Sequence, residues 1–170
     1  MDKLREYKIA FRGLGAGKHS FEFVLDDVFF NCFESTKGTV GQVKAEVELI
    51  KSSLLMEVKI RIAGTVKAVC DRCLGELELS VKGEMELYVK QSEREEGNDD
   101  DFIILAAEDD FIDLSSYLYE VYMLNYPMRV VHPEGECDSD MQDMLDNYIV
   151  EENDKPNDPR WDELKKLINN

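Results

Sequence analysis

No apolar run in this sequence approaches the roughly 20 residues that a membrane-spanning helix needs, and its start, Met1-Asp2-Lys3-Leu4-Arg5-Glu6, has no apolar segment of the signal-peptide kind. The expectation is a cytoplasmic protein with no membrane partner. Cysteine is scarce: four in 170 residues, two of them three positions apart. That argues against the disulfide scaffold of a small secreted domain and leaves reduced thiols or a metal. With two histidines and no serine elbow, no triad for nucleophilic catalysis is recognisable. Basic residues are short as well, 20 against 37 acidic, for a net charge of -17. Such a chain is poorly suited to neutralising many phosphates itself, and a basic partner is the easier match. Tyr and Phe are not interleaved with Lys and Arg, so a stacking platform for single strands is not expected. What remains is 44% apolar and 34% charged, a globular composition long enough for one core.

The acidic excess is confined to one part of the chain. Residues 1–90 hold 14 basic and 14 acidic side chains, and residues 91–170 hold 6 and 23. Two clusters dominate, 93–101 and 134–158. Both read as solvated or mobile segments, because they have little apolar area to offset the entropy lost on ordering. The sharper alternative is an acidic surface that docks a basic protein and repels RNA.

Apolar residues alternate through Val43, Ala45, Val47 and Leu49, then through Met56, Val58, Ile60, Ile62, Val66, Ala68 and Cys70, and again from Leu77 to Val89. A period of two predicts three half-buried strands with short links, an antiparallel meander. Gly64 keeps the inward parity, which suggests a bend or bulge within one strand. A shorter strand is expected over 20–24, a short edge-sealing helix within 25–35, and a further strand at 102–105. Cys32, among Phe29, Phe30 and Phe33, reads as a small buried apolar residue. Asp113 is placed to cap a helix carrying Leu114, Tyr117, Leu118, Val121 and Leu124, which Pro127 ends. A last helix begins at Asp158-Pro159. The fold class is therefore α+β: a meander sheet covered by one helix, with an acidic loop-rich C-terminal part and a short C-terminal helix. The expected organisation is one domain over 1–135, a mobile acidic segment over 136–157, and the helix over 158–170.

Cys70-Asp71-Arg72-Cys73-Leu74-Gly75 is the strongest local signal. At a hairpin tip, two thiolates two residues apart can chelate one ion, with the glycine folding backbone N–H groups toward the sulfurs. A redox dithiol is the rival, but it normally sits at a helix N-terminus, and a strand follows here. Two further ligands can come from His132 and Cys137, just beyond the helix, giving a zinc site of three cysteines and one histidine. The alternative is two reduced thiols and an ordinary loop histidine. Gly13-Leu14-Gly15-Ala16-Gly17-Lys18-His19 is too short for a phosphate loop and has His19 where Ser or Thr is required.

Taken in order, these features resemble the YceD family, the large ribosomal RNA subunit accumulation proteins. The resemblance rests on a strand running into Cys70 and Cys73, and on a helix opened by Asp113-Leu114. It rests also on a Leu-x-x-Pro stretch leading to a histidine and a cysteine (Leu124, Pro127, His132, Cys137), and on an acidic tail before Pro156-Asn157-Asp158-Pro159 and Leu164-Lys165-Lys166-Leu167. It implies a non-enzymatic part in ribosome biogenesis and a shared structural site at the Cys and His/Cys elements. Some branches carry more cysteines in the second half, where this chain has His132 and Cys137. The acidic part suggests a basic ribosomal protein or assembly factor as partner. The alternative is ribosomal RNA bound directly through Lys44, Lys59, Arg61, Lys67 and Arg72 on the polar face of the N-terminal sheet.

Overall fold

The computed structural model of the chain describes residues 3–92, 97–99 and 102–148. It divides into two compact units, Met1–Val131 and His132–Asn170. In the first unit the strands are β1 (Lys8–Ala10), β2 (Gly17–Leu25), β3 (Gly41–Lys51), β4 (Met56–Val69), β5 (Glu76–Ser92), β6 (Gly97–Asp99), β7 (Phe102–Ala106) and β8 (Phe111–Asp113). The helices are α1 (Asp27–Phe30) and α2 (Ser115–Asn125) in that unit and α3 (Ser139–Tyr148) in the second. The class is mixed α+β with predominantly antiparallel pairing. One sheet has the order β2-β3-β4-β5-β7-β6, and β1 and β8 form a separate pair. The exception to antiparallel pairing is β7, which runs parallel to β5.

The alternation of β3, β4 and β5 builds the core directly. Val43, Ala45, Val47, Leu49, Val58, Ile60, Ile62, Val66, Val81 and Val89 are buried on one face. The other face is charged, and the register sets its rows: Glu46, Arg61 and Glu84 lie side by side, and so do Glu48, Lys59 and Glu86. β2 is longer than expected because His19, Phe21 and Phe23 stay in register with Leu49, Val47 and Ala45. The apolar face is covered by more than one helix. α2 packs on β5 and β4, while α1, capped by the Asp26 carboxylate accepting from the Val28 and Phe29 amides, adds Phe29 and Phe30 to the core. Phe30 and Tyr122 meet at 4.8 Å between ring centroids. Burial pushes the Tyr122 hydroxyl up to about 12, and among the described residues its buried oxygen has no hydrogen-bond partner.

Several expectations need correction. Leu124 is 71% exposed, because the buried side of α2 runs through Leu118, Val121 and Tyr122 instead. Cys32 is exposed: α1 ends at Phe30, and the thiol donates to the Val28 carbonyl at 3.2 Å. Asp113 closes β8 rather than occupying the helix cap position, and it accepts from the Ser115 amide at 3.0 Å and hydroxyl at 2.6 Å. α3 lies where an acidic segment without secondary structure was expected. The expected helix over 158–170 falls outside the described residues.

Gly64 marks a close approach rather than a bulge, since β4 pairs residue for residue with β3 and β5 through it. A Cβ there would lie 2.3 Å from the Gln42 carbonyl oxygen and 2.5 Å from the Val43 Cα, both backbone atoms. Gly83 faces the Asn125 side chain instead, which can move. Gly64→Ala is therefore expected to cost about 3 kcal/mol, the upper end for overpacking, and more than Gly83→Ala. Urea midpoints would check this, and equal losses would contradict it.

Asp113 also pairs with Lys8 at 3.2 Å across β1 and β8. Burial alone would raise its carboxyl, but the Ser115 bonds and Lys8 outweigh that and hold it below its ordinary value. A carboxyl lowered in the folded state stabilises the fold above its unfolded pKa of about 3.9 and loses that contribution as pH falls through the folded value. Between about pH 5 and pH 2 the wild type should lose more stability than Asp113→Asn, measured by denaturant titration. Parallel curves would contradict the assignment.

Candidate metal centre

The long β4–β5 hairpin ends in a closed loop. The Cys70 amide donates to the Gly75 carbonyl at 2.8 Å, and the Leu74 amide donates back to the Cys70 carbonyl at 2.9 Å. The Arg72 amide points at the Cys70 Sγ, 3.4 Å away, an arrangement that stabilises negative charge on sulfur. The left-handed position belongs to Leu74, with φ of 60°, and not to Gly75. A leucine there costs about 1 kcal/mol. Cys70 and Cys73 are both buried. No helix starts at this loop: β5 follows at Glu76, so the helix dipole that lowers thiol pKa in redox dithiols is missing from the motif.

Asp71 ties this loop to the stretch after α2. Its amide donates to the Val130 carbonyl at 2.7 Å, and its carboxylate accepts from the Val130 amide at 2.6 Å. Both polar backbone atoms of a buried residue are thereby satisfied. Tyr126 feels the same environment, its hydroxyl raised by burial and by the Asp71 charge. His132 lies two residues beyond Val130, so chain connectivity alone keeps its backbone within about 8 Å of that anchor.

From His132 the chain makes a turn. The Glu136 amide donates to the Pro133 carbonyl at 3.1 Å, and Gly135 adopts φ of 84°, the position where a type II turn requires glycine. The turn returns Cys137 toward His132, with Sγ and Nδ1 4.0 Å apart. Among the described residues, the ligand atoms of Cys70, Cys73, His132 and Cys137 all lie within 4.8 Å of one another. A tetrahedral ion with bonds of about 2.3 Å to sulfur holds its ligands about 3.8 Å apart, so this set fits one ion after small side-chain rotations. Three thiols and an imidazole are the donors zinc prefers.

A family model described as "Large ribosomal RNA subunit accumulation protein YceD" matches residues 58–168. The chain belongs to this family. The YceD match starts within β4 and takes in both halves of the Cys/His set. Comparison with curated proteins and with solved structures finds no match.

The candidate RNA contacts do not form one group: Lys44 and Arg61 line a shared pocket with Lys82, Glu46 and Glu84, and the others lie apart from it. Lys44, Arg61 and Lys67 are exposed on the charged face of the sheet. Lys59 is engaged by Glu57 at 2.9 Å and Glu86 at 3.0 Å, whose hydrogen bonds raise it above its ordinary value. Arg72 sits in the cysteine loop rather than on the sheet. Nearby, Lys18 pairs with Glu48 and lowers that carboxyl. The Asp71–Val130 grip, which sequence reasoning missed, leaves no local pattern because its partners are 59 residues apart.

Removing the Asp71 carboxylate should strand a buried amide. Asp71→Ala is expected to lose about 1.5–3 kcal/mol, and Asp71→Asn, which keeps an acceptor, less. Guanidinium unfolding would measure both, and an alanine variant as stable as wild type would contradict the role.

Proposed function

We propose that this chain is a non-enzymatic ribosome-biogenesis factor that supports accumulation or processing of the large-subunit ribosomal RNA. The observation that carries this reading is the YceD match over residues 58–168. In this proposal Cys70, Cys73, His132 and Cys137 hold a structural zinc ion. Zinc there would fasten the cysteine loop and the His132–Cys137 turn, as closed four-ligand sites do. Such a site keeps no open coordination position, which agrees with a scaffold rather than a catalyst.

The acidic C-terminal part would engage a basic ribosomal protein or assembly factor in the cytoplasm, holding it as a substitute for phosphate until RNA displaces it. The mixed charge of the sheet favours this over direct RNA binding. Arg61 lies between Glu46 and Glu84 in the register, and Lys59 next to Glu86, so carboxylates flank the cations that phosphate would need.

Depleting the protein in cells should lower large-subunit rRNA relative to small-subunit rRNA. Full-length chain should restore it, and a chain ending near residue 90 should not. An unchanged ratio on depletion would overturn the role. For the metal, purified wild type should carry one zinc per chain by elemental analysis, and Cys70→Ser or Cys137→Ser should lose most of it with a lower melting temperature. Wild type folding equally well after exhaustive chelation would remove the structural ion from the account.

A further inference from the structure

We infer that α3 is a docking helix that seats its apolar stripe in a groove lined by Lys and Arg on a protein partner. This rests on the proposed engagement of a basic protein and names the element responsible. The helix carries Met141, Met144, Leu145 and Tyr148, the i, i+3, i+4 and i+7 spacing by which an amphipathic helix enters a groove. No residue of α3 is buried: Met144 is 56% exposed, Leu145 37% and Tyr148 80%. Three large apolar side chains thus face solvent along about one helical turn.

The charge specifies the occupant. Between Arg129 and Lys155 the sequence has no Lys or Arg, while Asp138, Asp140, Asp143 and Asp146 lie in or beside the helix. Asp138 is well placed, its carboxylate accepting from the Met141 amide at 3.0 Å, and Asp140 suits the positive end of the macrodipole. Asp146 lies in the last turn, at the negative end, where an anion destabilises a helix, and that turn carries no basic residue. A ten-residue helix is marginal by itself. Cations on the groove rim would neutralise the last turn, and its apolar floor would bury the stripe. The same contacts that bind the helix would then stabilise it.

The test uses full-length chain and, as probe, the individual proteins stripped from the large ribosomal subunit, titrated one at a time by fluorescence anisotropy at low and high salt. One variant, Met144→Ala with Leu145→Ala, removes the stripe and keeps the charge. The other, Asp140→Asn with Asp143→Asn and Asp146→Asn, does the reverse. Alanine is a strong helix former and all five positions are exposed, so both variants should fold as wild type does by circular dichroism. The expected result is binding of at least one basic protein, weakened at least tenfold by the stripe variant with its salt dependence retained. The charge variant should weaken binding and flatten that dependence. If the stripe variant binds like wild type while the charge variant fails, the acidic partner reading stands and the docking helix falls. Salt-insensitive binding, or none, overturns both. A wild-type dimer that the stripe variant converts to monomer, by sedimentation equilibrium, would assign the face to a second copy and overturn the basic groove.

Discussion

Asp71 gripping both backbone polar groups of Val130 is the contact on which the candidate centre depends. The loop that bears Cys70 and Cys73 has its own closure, two hydrogen bonds between Cys70 and its neighbours Leu74 and Gly75. That closure shapes the cysteine pair but says nothing about what stands opposite. The Asp71 bonds fix the emerging chain at Val130, and connectivity then limits where His132 can be. Hydrogen bonds to a charged carboxylate are about twice as strong as neutral ones, so one side chain can hold this register without a strand or helix of its own.

The sheet supplies the rigid support. β4 and β5 are 14 and 17 residues long, and a loop at the end of such a hairpin inherits its orientation from two fully paired strands. Gly64 lets β3 approach closely within that pairing, and Gly83 lets the end of α2 lie against β5. α2 then delivers the chain through Tyr126 and Pro127 toward the cysteine loop. Each glycine is needed for the space a side chain would occupy and not for an unusual φ.

Much of this was legible in the sequence because period-two burial is a local signal. Val43 to Leu49, Met56 to Cys70 and Leu77 to Val89 gave three strands and the hairpin tip with no knowledge of their partners. Cys70, Cys73, His132 and Cys137 could be grouped by donor chemistry, and the structure brings their ligand atoms together. What escaped was long-range or short. The three-residue strands β1 and β8 carry too few residues for a pattern, and the parallel pairing of β7 with β5 depends on a partner chosen in three dimensions. The aromatic neighbours of Cys32 suggest burial, whereas the end of α1 at Phe30 leaves the residue exposed. Leu124 fitted the helical spacing but falls one residue before the helix ends, beyond the face that meets the sheet. α3 was hidden inside an acidic stretch whose charge masks its Met141, Met144, Leu145 and Tyr148 spacing.

The central claim is that a zinc ion joins the cysteine loop to the turn after Val130, making a scaffold of two chain segments far apart in sequence. X-ray absorption at the zinc edge on the purified, reduced protein tests it most directly. The account predicts three sulfur neighbours at about 2.3 Å and one nitrogen at about 2.0–2.1 Å. A first shell of oxygen and nitrogen alone, or of two sulfurs that persist unchanged in Cys137→Ser, would contradict it.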